Sequence, residues 1–327
     1  MLGHASLDCD YFVAPGPRHS RLLPARGLFV SLALALLTGA CARNDSSRPV
    51  EDTETSGRIS IAAAPDVRAL MAEQVGAFQA EFPFAKLALR EPESSAQVMS
   101  ALLAGRADVA AAGRELEDEE RRMAQQAGIE IEGHRIAQDG MCVVVQASNP
   151  VRNITLAELQ RILRGELTHW SAIGGRDARI VPVLPPLSSD LARAFAQRVM
   201  AGEPVRAAAM VESSDSAVAA RVIATPGAFG VLPLALATSD PRLRALAIAA
   251  VAGTPYVDPD MESVHDGHYP LSRWVNLFIR THGPRLAGGF VTFVSSQPGQ
   301  QLVLASGRVP TAVPLRFVRR SPLLGSH

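Results

Sequence analysis

Few residues in this chain have the types and spacing that covalent chemistry needs. Ser188, Ser189 and Asp190 stand together and could suggest an activated hydroxyl, but they also precede an apolar-periodic stretch, where an N-cap cluster explains them at lower cost. His265 and His268 form an H-x-x-H pair with no cysteine or third histidine nearby in sequence, so no metal set is expected there. Cys142 lies in the apolar run Met141-Cys142-Val143-Val144-Val145 with no basic neighbour to lower its pKa. It reads as a buried structural thiol rather than a nucleophile. Lys86 is the only lysine and follows no glycine, which excludes a G-x-x-x-x-G-K-[ST] phosphate loop. A Schiff-base enzyme would have to use that one residue. G-x-S-x-G, H-E-x-x-H, C-x-x-C and G-x-G-x-x-G are all missing. The expectation is a protein that is not an enzyme and carries no cofactor or metal.

What recurs instead is a geometry: strand, small-residue turn, helix N-terminus. It occurs at residues 63–67, 93–96 and 187–191. A helix N-terminus presents free N–H groups and the positive end of the helix dipole, so it can hold an anion without a counter-cation. Several such ends facing one cleft would make an oxyanion receptor.

The elements that must position these turns follow from periodicity. Residues 59–63, 86–90, 108–112, 143–147, 179–184, 229–232 and 274–279 read as strands. Between them fall helices: one N-capped by Asp66, one opened by Ser94 and Ser95, one over 115–126, and one capped by a Thr155–Glu158 box. Further helices follow Ser188-Ser189-Asp190, cover 218–223 and run from about 288 to 305. Strands alternating with helices imply an α/β architecture with mainly parallel sheets covered on both faces.

Composition agrees with a globular body. The 327 residues are 47% hydrophobic and 20% charged, and Lys+Arg and Asp+Glu both number 32. A nucleic-acid partner, which would call for a basic excess, is not expected. Arg18, Arg21 and Arg26 precede the uncharged apolar run at residues 28–40, which is short for the about 20 residues of a bilayer span. A basic start, a short apolar core and small residues at the cut describe an export signal over 1–40. Leu37-Thr38-Gly39-Ala40-Cys41 resembles a bacterial lipobox, which makes Cys41 the expected lipidation site. The polar stretch 41–57 then reads as a lipidated flexible tether.

One long segment is more specific. Residues 139–179 read DGMCVVVQASNPVRNITLAELQRILRGELTHWSAIGGRDAR. Around it stand Gly105-Arg106-Ala107-Asp108, Gly113-Arg114, Thr225-Pro226-Gly227-Ala228-Phe229-Gly230, Tyr269-Pro270-Leu271-Ser272-Arg273 and Gly307-Arg308-Val309-Pro310. This ordered set, spanning residues 59–314, resembles the bacterial periplasmic phosphate-binding proteins of ABC transporters. The resemblance implies a two-lobe periplasmic-binding-protein (Venus-flytrap) fold, each lobe a mainly parallel sheet flanked by helices, with the ligand between the lobes. Lobe 1 is expected over 58–140 and 271–318, lobe 2 over 141–270, and a tail over 319–327. It further implies a monomeric periplasmic receptor, held to either membrane by Cys41, that hands a phosphate-like oxyanion to an ABC permease.

The same resemblance implies a ligand set: Ala64, Pro65 and Asp66 at the first turn, Ser94 and Ser95 at the second, Arg114 after the third strand, and Ser188, Ser189 and Asp190 at the second-lobe turn. Several family residues are replaced. A Gly-Ser-Thr-Thr-like turn becomes Ala63-Ala64-Pro65-Asp66, a Ser-Arg pair becomes Gly113-Arg114, an arginine becomes Pro185, and Ser-Gly-Thr becomes Ser189-Asp190-Leu191. A micromolar ligand needs about 8 kcal/mol. Hydrogen bonds to a charged group supply roughly 1.5–3 kcal/mol each, so these losses could remove most of it. Asp66 and Asp190 would stand where the anion should go. The phosphate site therefore reads as eroded. The alternatives are a receptor for a cationic or zwitterionic ligand held by Asp66 and Asp190, or an envelope interaction protein that binds no small molecule.

Overall fold

The sheet begins where the polar leader ends. A computed structural model describes residues 51–91, 94–186 and 188–311. The export signal (1–40), Cys41, the tether up to residue 50, Glu93, Leu187 and the tail (319–327) lie outside the described residues.

Strand β1 (Gly57–Ala63) buries Ile59 and Ile61, and helix α1 (Arg68–Glu81) turns Leu70, Met71, Val75 and Phe78 inward at helical spacing. After β2 (Ala85–Arg90) come α2 (Ser95–Leu103), β3 (Val109–Ala112) and α3 (Asp118–Gln126). β4 (Ile131–Gln146) is the longest strand described; β5 (Asn153–Thr155), α4 (Leu156–Leu163), β6 (Val181–Leu184), α5 (Asp190–Met200), β7 (Met210–Val211), α6 (Asp215–Ala224) and β8 (Ala228–Pro233) follow. Then come α7 (Leu234–Ala237), β9 (Leu243–Ala245), β10 (Ala247–Ala249), α8 (Met261–His265), β11 (Ser272–Arg280), α9 (Arg285–Ser295), α10 (Gln297–Ala305) and β12 (Val309–Pro310).

The strands order as β2-β1-β3-β11-β4-β8-β6-β7. Pairing is parallel in the two outer groups, β2-β1-β3 and β8-β6-β7, and antiparallel through β11 and β4 in the middle. Two apolar cores result. One gathers Ile61, Phe78, Met99, Phe278 and Phe290, where Phe78 meets Phe290 and Phe293 edge-on at 5.6 and 5.3 Å. The other gathers Val143, Phe195, Phe229, Tyr269 and Trp170. Gly227 belongs to the second: at φ +79° its missing Cβ would stand 2.3 Å from the Arg179 carbonyl, and its own carbonyl accepts the Trp170 indole N–H at 2.8 Å. This is a two-lobe α/β body.

Four local readings differ from the sequence expectation. The strand expected from 143 begins at Ile131: β4 runs straight through Asp139-Gly140, because Ser272 and Arg273 of β11 pair with it. That strand carries the chain from the first core to the second. Helix α3 starts at Asp118, not 115, since Glu117 and Glu120 form its capping box. The helix expected over 288–305 breaks at Ser296, whose extended backbone (φ −78°, ψ 170°) separates α9 from a proline-started α10. Finally, residues 51–57 are docked rather than free. Asp52 takes the Arg285 and Leu286 N–H groups at 3.0 and 3.3 Å, so a distant carboxylate caps α9. The Thr155–Glu158 capping box forms as expected, with Glu158 N–H on Thr155 Oγ1 at 3.1 Å.

Candidate functional site

Where β4 and β11 cross between the cores, charged side chains gather in an interior otherwise apolar. Arg273, on β11, is 3% exposed; its Nη1 donates to Asp66 Oδ2 at 2.5 Å and its Nη2 to Asp139 Oδ2 at 3.1 Å. Burial works against its charge, but Asp66, Asp139 and Asp190 more than offset that and push its pKa up. Asp139 also accepts the Leu234 N–H at 3.3 Å. Arg308 donates to the Asp66 carbonyl at 2.7 Å and stands 3.9 Å from Asp139. These arginines balance the charge of Asp66 and Asp139, which burial in isolation would forbid.

This arrangement corrects the reading of the first turn. Asp66 does not cap α1; Val67 holds that position without a side-chain bond. The carboxylate is claimed by Arg273 from 207 positions away. Ala64 offers no amide to the cleft either, since its N–H goes to the Ala111 carbonyl at 2.9 Å, and Pro65 has none to give.

The second and third turns do converge. Ser94 caps α2 by accepting the Gln97 N–H at 3.4 Å, while Ser95, buried, accepts from Arg114 Nε at 3.1 Å. Arg114 grips Glu120 through both terminal nitrogens at 2.8 and 2.7 Å, the bidentate geometry arginine favours. Its pKa is raised: burial opposes the charge, and Glu120, Asp190 and Glu117 outweigh it. Ser189 caps α5 by accepting the Ala192 N–H at 3.2 Å. Ser188 is exposed.

Asp190, the first residue of α5, crosses the gap. Its side chain is 0% exposed, its Oδ2 accepts the Gly113 N–H at 2.8 Å, and its Oδ1 lies 3.5 Å from Arg114 Nε. Burial raises its pKa first, then the charge of Asp66; the nearby Ser95 hydroxyl, the Gly113 N–H and Arg114 pull it back. Ser95, Gly113 and Arg114 thus form a cradle around the Asp190 carboxylate. Beside it, Arg193 of α5 meets Glu117 at 2.6 Å. Among the described residues, Asp66 Oδ1 and Asp190 Oδ1 accept no hydrogen bond. Asp215, at the start of α6, faces the same cluster; burial, then Asp66, raise its pKa to about 6.

Arg273, Asp139 and Arg308 escaped assignment at the sequence level although all three lie in the motif segments that carry the family resemblance. Glu117, Glu120 and Asp215 left no local signal beyond helix-start carboxylates. Cys142 is buried, and burial with the Asp139 charge pushes its thiol pKa well up. Among the described residues no group of His, Cys, Asp and Glu could hold a metal, the His265–His268 region included.

Two lobes meeting at a charged cleft, with strand–turn–helix junctions aimed into it, define the class of solute-binding folds. A family profile described as a PBP superfamily domain matches residues 49–298, and the chain belongs to that superfamily. It is 26% identical over 298 residues to the phosphate-binding protein PstS of Bacillus subtilis, covering 86% of this chain and 92% of that one. Against the phosphate-binding protein PstS of Staphylococcus epidermidis it is 24% identical over 279 residues, covering 82% and 83%. An ABC-type phosphate transport receptor from Vibrio cholerae superposes with a TM-score of 0.67 at 24% identity, over 77% of this chain and 100% of that one. PstS from Borrelia burgdorferi gives 0.59 at 20% identity, over 77% and 98%.

Proposed function

We propose that this is an exported solute-binding protein, anchored in the periplasm through lipidated Cys41, whose cleft recognises a small oxyanion for delivery to an ABC permease. The lobes divide at 140 and 270, with residues 58–140 and 271–318 in the first and 141–270 in the second. The carrying observation is the Asp190 carboxylate held by the Gly113 N–H and Arg114: the cradle grips an anionic oxygen. The names of the phosphate-binding relatives favour the same class of solute. Among the described residues no helix is long and apolar enough to cross a membrane.

Charge balance narrows the solute. Arg273 and Arg308 answer Asp66 and Asp139, and Arg114 and Arg193 answer Glu120 and Glu117, so each of these four arginines already has a carboxylate among the described residues. A solute entering the cradle replaces Asp190 one charge for one, which favours monoanions over dianions. Calorimetry of the purified chain and of Asp190→Ala with inorganic phosphate, sulfate and acetate tests this. The expected result is weak saturable heat for the wild type at neutral pH, from solute displacing Asp190, and tighter binding by the variant. A variant that keeps its native circular dichroism yet binds none of the three anions would sink the reading.

Asp66 Oδ1, a buried oxygen that accepts no hydrogen bond among the described residues, favours a second reading, a cationic or zwitterionic ligand. A thermal shift of the wild type with an amino acid or polyamine, abolished by Asp190→Gly, would select it.

A further inference from the structure

We propose that Asp190 is a tethered ligand: reaching from α5 of one lobe into the Ser95–Gly113–Arg114 cradle of the other, it takes the place of the solute and holds the two lobes shut with none bound. Helix α5 is fixed in the second core through Leu191 and Phe195, whereas the Gly113 N–H and Arg114 belong to the turn after β3 in the first. The 2.8 Å bond from Gly113 and the 3.5 Å approach to Arg114 therefore span the gap. Three residues along the same helix, the Arg193–Glu117 pair at 2.6 Å spans it again, in the more exposed rim. A carboxylate of the chain itself presents an effective concentration on the order of millimolar or higher. A free oxyanion below that level cannot compete, so closure in this protein does not report solute. A partner that reads the closed face would find it always present.

The inference rests on the oxyanion reading of the cradle, and small-angle scattering separates the two. The purified wild-type chain is compared with Asp190→Asn/Arg193→Gln and with Asp190→Ala/Arg193→Ala, each with and without millimolar inorganic phosphate. The expected wild-type radius of gyration, about 20 Å for a compact chain of this length, is the same in both conditions. Either double variant should expand by roughly 1 Å as the lobes part. A wild-type chain that contracts when phosphate is added, or variants that stay as closed as the wild type, overturns the proposal. Variants that open and are not closed again by phosphate support the latch while removing the oxyanion reading. The asparagine–glutamine pair preserves side-chain size, and the wild-type measurement alone can refute the latch should both variants misfold.

Discussion

Placing a methyl group at Gly113 should unfold the cleft from within. A Cβ built there would stand 2.4 Å from Arg273 Nη1, 2.8 Å from Asp66 Oδ2 and 3.2 Å from Arg273 Cζ. The tip of a free arginine would swing aside cheaply, but this one is bonded at one end to Asp66 and at the other to Asp139, inside a site with no exposed room. Displacing it leaves two buried carboxylates without their partner, a loss of about 3–5 kcal/mol. Against a total stability of roughly 5–15 kcal/mol, Gly113→Ala should lower the melting temperature on the order of 10 °C. Urea denaturation followed by circular dichroism measures the same quantity. The control is the same substitution in an Asp66→Ala background, where Arg273 is released on one side and the added penalty should shrink to under about 1 kcal/mol. If Gly113→Ala alone stays within about 0.5 kcal/mol of the wild type, Arg273 is not locked and the reasoning fails.

Two further predictions concern the periphery of the site and the leader. Asp215 has its pKa raised from 3.8 to about 6, so ionising it in the folded state costs stability: the penalty is absent below about pH 4, grows across the window up to pH 6 and is complete above it. Asp215→Asn should therefore stabilise the protein by up to about 2 kcal/mol at pH 7 and leave it unchanged at pH 4; equal effects at both pH values contradict the assignment. Asp52→Ala removes the carboxylate that caps α9, and should cost about 1 kcal/mol while amide exchange accelerates across residues 51–56; unchanged exchange there would mean the leader is held by something else.

Signals confined to a few consecutive residues were legible in the sequence. The α/β alternation, the Thr155–Glu158 box, the buried Cys142 and the cap residues Ser94 and Ser189 all depend on neighbours within one turn. Readings that failed depend on partners far along the chain. Asp66 has the look of an N-cap, yet a buried guanidinium 207 positions away is a stronger partner than the free amides of α1. The strand expected from 143 starts at Ile131, since pairing with β11 and the ion pair to Arg273 keep Asp139-Gly140 extended. Asp52 lies in a stretch with no periodicity, and its role is set by α9, more than two hundred residues later. Asp190 was legible as a carboxylate at a helix start; that it reaches across to Gly113 was not, because no local pattern encodes which lobe a side chain will face.

The residues around Asp190 interlock. Serine in place of Gly113, the residue that the family resemblance expects, would carry its hydroxyl on a Cβ that Arg273 and Asp66 now exclude. Without a side chain at 113, the Arg273–Asp66 pair closes over that space, while the Gly113 N–H stays directed at Asp190. Arg114 in turn is already committed to Glu120 on two nitrogens and offers its Nε edge to Ser95 and Asp190. The space beside Gly113 is thus filled by the Arg273–Asp66 pair, and its N–H is taken by Asp190. Gly113→Ser made alone meets the clash described above. A change at Gly113, Arg114 or Asp190 therefore alters the room or the hydrogen bonds available to the other two.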